Sequence, residues 1–166
     1  MKTALDLHRQ LLSLDVAHEI IKLPRPVLSA EELPDVLGVP PEQCLSVRLY
    51  VAGPRMVAVG LPVGRQPQLE SLLRAVGSRS LRAATVHEVN EMTDFAAGLV
   101  PPLPLPASVM FLVDAGIGLQ EVVYTATGDS GTALGIRTAA LLMSSGARVA
   151  DLTTPALADV VVDLEV

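Results

Sequence analysis

The sequence predicts an α+β domain whose mixed, mainly antiparallel sheet is packed by helices. Three observations carry this expectation. Residues 45–61 read as a hairpin, two apolar runs that meet at Gly53-Pro54. The helix-starting pattern Ser/Thr-x-x-Glu occurs twice between strand-like segments, as Ser29-Ala-Glu-Glu32 and Thr85-Val-His-Glu88. Strands and helices do not alternate regularly, and no Gly-x-Gly-x-x-Gly follows a first strand, which argues against a dinucleotide-binding fold.

Taken in order, Leu5, Leu7, Leu11, Leu12 and Leu14 predict an amphipathic helix near the start. Residues 17–23 read as a strand, stopped by Pro24 and Pro26. The first capping box opens a short helix over 29–37, which Gly38 ends. The hairpin strands span 45–52 and 56–61. A helix over 68–76 closes at Gly77, and the second capping box starts another that runs to about Met92. A Pro-rich loop over 98–106 precedes strands at 108–113 and 121–125. A helix over 137–145 ends at Gly146, and a strand over 148–152 follows, with 159–166 as a terminal one.

A chain of 166 residues suits one domain, read as 1–155 followed by a short acidic C-terminal tail or terminal strand over 156–166. Half of the residues are hydrophobic, which excludes global disorder. The single cysteine, Cys44, excludes an internal disulfide and a Cys-based zinc cluster, and fits a reducing compartment. The N-terminus lacks a signal-peptide core, and no apolar run approaches the roughly 20 residues of a membrane span. The expected location is cytoplasmic, without membrane contact.

The net charge of −6 is uneven: residues 1–150 carry all 12 basic side chains and 14 acids, while Asp151, Asp159, Asp163 and Glu165 stand alone in the remainder. With so few bases in excess anywhere, a tight grip on a long phosphate backbone is excluded, although a few arginines suffice to hold a nucleic-acid end. Aromatic platforms for bases are scarce, being limited to Tyr50, Phe95, Phe111 and Tyr124.

Several residues are candidates for a site. Ser46, Arg48 and Tyr50 recur at period two, opposite Leu45, Val47 and Leu49. The polar row is either a solvated sheet face or the floor of a pocket, with Arg48 suited to a phosphate or carboxylate. Gly98 and Pro102 bracket a rigid loop able to aim backbone groups at a ligand, or simply an irregular connection. Asp114 ends the apolar run Val109-Met-Phe-Leu-Val113, facing a ligand or closing an Asx-turn in Asp114-Ala-Gly116. Thr127-Gly-Asp-Ser-Gly131 reads as an anion-binding nest or, more economically, as a turn between strands. His8, His18 and His87 are widely spaced and lack companions of metal-ligand type, so no metal and no cofactor is expected. Cys44 reads as a small buried hydrophobe rather than a nucleophile.

In this order the segments resemble the YbaK/prolyl-tRNA editing superfamily of aminoacyl-tRNA deacylases. The resemblance runs from about His18 to Leu152. It rests on His18-Glu19 and its strand, on Ser29-Ala-Glu-Glu32 through Leu37-Gly-Val-Pro-Pro41, and on Gly98-Leu-Val-Pro-Pro102 as the family's Gly-x-x-x-Pro loop. Val109 to Asp114, and Val123-Tyr124 through Gly128 and Leu134, complete it.

The resemblance implies a YbaK-like fold that hydrolyses the ester between a small mischarged amino acid and the terminal ribose of a tRNA. Water or a substrate group attacks, and the Gly-x-x-x-Pro loop lies near the scissile carbonyl. Gly98, Pro102, Asp114 and Gly128 carry over as site residues. The acceptor end of an aminoacyl-tRNA is the implied partner, with an aminoacyl-tRNA synthetase as a further one. Arg137, at a helix start, is a second candidate for the terminal phosphate or a solvated first-turn residue. One departure is marked: editing members carry a lysine at the head of the hairpin strand, where this chain reads Ser46-Val-Arg48. Either Arg48 or Ser46 takes over that role, or the domain is a catalytically silent binding module.

Overall fold

The computed structural model describes residues 1–153, so the acidic tail and the expected terminal strand over 159–166 lie outside the described residues. The elements in order are α1 (Ala4–Ser13), β1 (Glu19–Lys22), α2 (Leu33–Leu37), β2 (Leu45–Ala52), β3 (Arg55–Pro62), α3 (Leu69–Val76) and β4 (Arg82–Ala83). They continue with α4 (Val86–Thr93), β5 (Met110–Asp114), β6 (Val122–Ala126), β7 (Thr132–Arg137), α5 (Thr138–Ser145) and β8 (Arg148–Ala150). Single 3₁₀ turns at Ala30–Glu32, Pro41–Gln43 and Ala115–Leu119 link them.

Where one mixed sheet is expected, the strands form two. A three-stranded antiparallel sheet has the order β1-β7-β6. A five-stranded sheet has the order β4-β2-β3-β5-β8, antiparallel about β2 and parallel from β3 through β5 to β8. One face of the larger sheet, with Leu45, Val47, Leu49, Ala58 and Val113, packs on Leu7 and Leu11 of α1 and on Leu134 and Ile136 of β7. The other face, with Val59, Leu61 and Leu112, is covered by Leu72 and Val76 of α3 and by Leu152. Full burial of each such leucine contributes roughly 1.5–3 kcal/mol to this two-sided core.

Helix α1 starts from a capping box between Thr3 and Asp6, and it buries Ala4, Leu7 and Leu11. Leu5, Leu12 and Leu14 of the expected stripe are exposed instead, because positions 4, 7 and 11 are the ones that share a face at 3.6 residues per turn. The short helix at 29–37 is a 3₁₀ turn followed by α2, closed by Gly38 at φ +68°. Strand β8 stops before Leu152, whose N–H turns to Asp114 Oδ1 at 2.8 Å rather than to a ladder partner.

The register of β2 positions the site. All of β2 pairs with β3, but β4 reaches only Tyr50 and Val51. Below this point Ala84 N–H donates to the Leu49 carbonyl at 2.9 Å, and Thr125 Oγ1 donates to the Leu45 carbonyl at 2.8 Å. Between these two ties, residues 46–48 have no strand neighbour on that side among the described residues. An open strand edge therefore looks outward at mid-strand.

Candidate functional site

A cleft of about 470 Å³ lies along that open edge. Its polar lining comes from Ser29, Glu31, Ser46, Arg48 and Tyr50, with Gly98 at the rim, and its apolar walls include Val47, Leu49, Val86 and Val89. Leu45, Val47 and Leu49 are buried as the alternation predicts, Ser46 is buried as well, and Arg48 and Tyr50 are half-buried. The polar row of β2 is thus one wall of a pocket rather than a freely solvated face.

Three local structures hold the cleft open. Ser29 and Glu32 form the capping box that the sequence announces, with Glu32 Oε2 accepting Leu28 N–H at 2.6 Å and Ser29 N–H at 3.2 Å. Those bonds hold the Glu32 carboxyl below its ordinary value, the Leu28 amide first, then Arg25. Thr85 and Glu88 form the second box and start α4, which carries Val86 and Val89 into the cleft. Gly98, at φ +86°, accepts the Ala30 N–H at 3.0 Å and so ties the loop to the Ala30–Glu32 turn.

Across the cleft, Arg48 Nη2 meets Glu31 Oε1 at 3.2 Å, with side chains 32% and 38% exposed. A pair this close to water contributes about 0–1 kcal/mol to stability, so its consequence is geometric: it fixes one cation and one anion in the cleft. Among the described residues, they are the only charged ones in its lining. Sequence reasoning selects Arg48 and misses Glu31, because a capping box accounts for both of its acids at once. The signal that separates them is spacing, since the box uses only the acid three residues after Ser29.

Ser46, Arg48, Tyr50 and Gly98 are therefore brought together, and the other candidates are placed elsewhere. The expected pocket also included Asp114. It instead lines a second cavity of about 390 Å³, with Glu42, Gln68 and Asp151. Strand β3 stands between β2 and β5, which sets them about 10 Å apart across the sheet. Asp114 is 4% exposed, and its carboxylate accepts Gly116 N–H at 3.0 Å and Leu152 N–H at 2.8 Å, the Asx-turn arrangement extended by a second donor. Pro102 is buried and absent from the lining of the cleft.

Gly128 sits at φ +100° in a tight turn where Thr127 Oγ1 accepts Asp129 N–H at 3.1 Å. Asp129 Oδ2 accepts Ala4 N–H at 2.7 Å and thus helps to cap α1. Arg137 is 73% exposed and lies 3.6 Å from Glu121, on the smaller sheet. His8 Nδ1 and His18 Nε2, distant in sequence, approach to 2.8 Å, and His18 Nδ1 donates to the Val16 carbonyl at 2.7 Å. His87 meets Glu91 at 3.2 Å on the exposed face of α4. Among the described residues, no group of three or more His, Cys, Asp or Glu is arranged to hold a metal ion. Burial pushes the Cys44 thiol up to about 12, which keeps it protonated and inert as a nucleophile. Among the described residues no helix is long and apolar enough to cross a membrane.

The family model described as aminoacyl-tRNA editing domain matches residues 24–143, a span that contains both walls of the cleft. No curated protein matches at a significant level. Among solved structures, a proposed trans-editing enzyme for prolyl-tRNA synthetase superposes with a TM-score of 0.82 at 25% identity, covering 93% of this chain and 99% of its own. The hypothetical protein APE2540 superposes with a TM-score of 0.82 at 23% identity, covering 89% of this chain and 99% of its own. A proposed signal transduction protein from Marinobacter aquaeolei VT8 shares the fold at a TM-score of 0.61 and 17% identity, over 90% of this chain and 30% of that one.

Proposed function

The chain belongs to the aminoacyl-tRNA editing domain family, and from that premise we propose that it is a trans-editing deacylase for a small mischarged amino acid such as Ala, Cys or Ser. Water adds to the ester carbonyl, the bond to the ribose oxygen breaks, and the products are the free amino acid and an uncharged tRNA. The observation that carries the reading is the convergence of Ser46, Arg48 and Gly98 on one cleft at an open strand edge. In this reading Arg48 holds the terminal ribose-phosphate region, Ser46 and the Gly98 loop flank the ester, and Val47, Leu49 and Val89 bound the space for the side chain. A wall of branched aliphatic groups admits a small side chain and discriminates by size. Arg48 lies two residues beyond Ser46, which occupies the register of the relatives' lysine, and presents a fixed planar fork in place of a compact ammonium, so it serves as an anchor more readily than as a proton carrier.

Contact with tRNA is confined to the acceptor end, because the sequence offers no basic run to follow a longer backbone. A synthetase that releases the mischarged product is the natural donor of the substrate. A second reading, a silent binding module, draws on Ser46 standing in the lysine register. Restoring that residue separates the two. Activity in the native protein, lost on Arg48→Ala, supports the enzyme. Activity that appears only in Ser46→Lys supports the binding module.

A further inference from the structure

The cleft contains one anion whose position the capping chemistry does not require. Glu32 uses both carboxylate oxygens outside the cleft, Oε2 on the Leu28 and Ser29 amides and Oε1 on Arg25 at 3.2 Å. Glu31 needs only its backbone for the turn, its N–H donating to Ser29 Oγ at 3.1 Å. Its side chain is left to enter the cleft, where Oε1 meets Arg48 Nη2. A carboxylate has two oxygens and about four acceptor sites, so one arginine contact leaves capacity for a cation beside it.

We propose that Glu31 is the specificity residue that reads the α-ammonium of the aminoacyl group. This rests on the editing reading of the same cleft. An aminoacyl ester differs from any other acyl ester on a ribose by one positive charge, two bonds from the scissile carbonyl. In a cleft walled by Val47, Leu49, Val86 and Val89 that charge loses water and needs an acceptor. Glu31 is the only acidic residue in the lining among the described residues. Arg48, on the far side of the same carboxylate, is then directed to the phosphate or ribose, so the ion pair splits the two ends of the substrate between its members. The Ala30 N–H to Gly98 carbonyl bond at 3.0 Å holds the turn bearing Glu31 against the loop beside the ester. That places the ammonium reader and the Gly98 loop at a fixed separation.

The test uses two non-hydrolysable probes, 3′-deoxy-3′-alanylamido-adenosine and its 3′-lactoylamido counterpart, which replaces the α-ammonium with a hydroxyl. Each is titrated calorimetrically into the native protein, Glu31→Gln and Glu31→Asp. The native protein is expected to prefer the alanyl probe by about tenfold, the usual size of a charge-assisted contact. Glu31→Gln should bring the two affinities together, and Glu31→Asp should retain part of the preference. If Glu31 served only to orient Arg48, both probes would weaken equally and their ratio would stand, which overturns the proposal. Equal binding of the two probes by the native protein also overturns it and leaves the editing reading intact. Binding of neither probe at millimolar concentration overturns both.

Discussion

The Gly98 carbonyl accepts the Ala30 N–H at 3.0 Å, and a Cβ built on Gly98 would stand 2.7 Å from the Leu28 carbonyl oxygen. The two facts have one cause: the segment bearing Glu31 is docked so closely on the loop that only a residue without a side chain fits. The glycine of the Gly-x-x-x-Pro loop is thus required by packing as well as by its φ of +86°.

Replacing Gly98 by Ala should therefore damage both stability and function. The left-handed backbone alone costs about 1–2 kcal/mol for an L-residue, and the clash is with backbone that cannot rotate away. Unfolding in denaturant should show that loss. Binding of the alanyl probe should fall further than stability predicts, because the Glu31 turn is pushed from Arg48. Unchanged binding by the folded variant would contradict this role.

Gly128 invites the opposite expectation. A Cβ there would lie 2.6 Å from Phe95 Cδ1 and 3.1 Å from the Lys2 carbonyl. Gly128→Ala should lower stability by about 1–3 kcal/mol, the range for a non-glycine residue held in a sparsely populated conformation. Measured per folded molecule, deacylation should be unaltered, because the strain falls on Phe95 and the N-terminus, neither of which lines the cleft. A selective loss of activity would return Gly128 to the site.

Asp114 is expected to act on stability as well. Asp114→Ala removes the acceptor from the Gly116 and Leu152 amides, and each buried N–H left without a partner costs about 1–3 kcal/mol. Leu152 belongs to the core under α3, so the detachment of residues 150–153 should be detectable as faster amide exchange there. A variant of native stability with no activity would instead assign Asp114 to the chemistry.

The helix that walls the cleft should show an acid limit. Arg82, and then the Thr85 amide, hold the Glu88 carboxyl down from its ordinary 4.5 to about 2. A depressed folded-state value stabilises the protein fully above 4.5, and the contribution is lost as pH falls from there towards 2. Glu88→Gln should flatten the pH dependence of the unfolding midpoint over that window and change nothing in its slope near neutrality. An unchanged acid limb would show that the capping pair is not coupled to folding.

Much of this was legible in the sequence wherever local chemistry decides structure. The period-two pattern of 45–52 and both capping boxes correspond to β2, the Ala30–Glu32 turn and α4 as observed. The turn reading of 127–131 implies a strand on each side, but the second, β7, has no legible bounds, because Gly135 interrupts its apolar run. A Cβ at Gly135 would stand 3.3 Å from the ring of Tyr124 of β6, a tight tertiary contact with no local signature in the sequence. The partition of the expected pocket was hidden for a related reason. Asp114 ends its strand like a ligand-facing acid, but one of its donors, Leu152, lies 38 residues further on. In the same way His8 and His18 meet only because α1 folds back beside β1.

The most direct measurement is the deacylation of alanyl-, cysteinyl- and seryl-tRNA, mischarged on non-cognate tRNA, by the native protein and by Arg48→Ala. The account predicts hydrolysis of at least one ester well above the spontaneous rate, falling at least about tenfold in Arg48→Ala, as expected when a charge-assisted contact is removed. Background rates on all three esters from demonstrably folded native protein would contradict it.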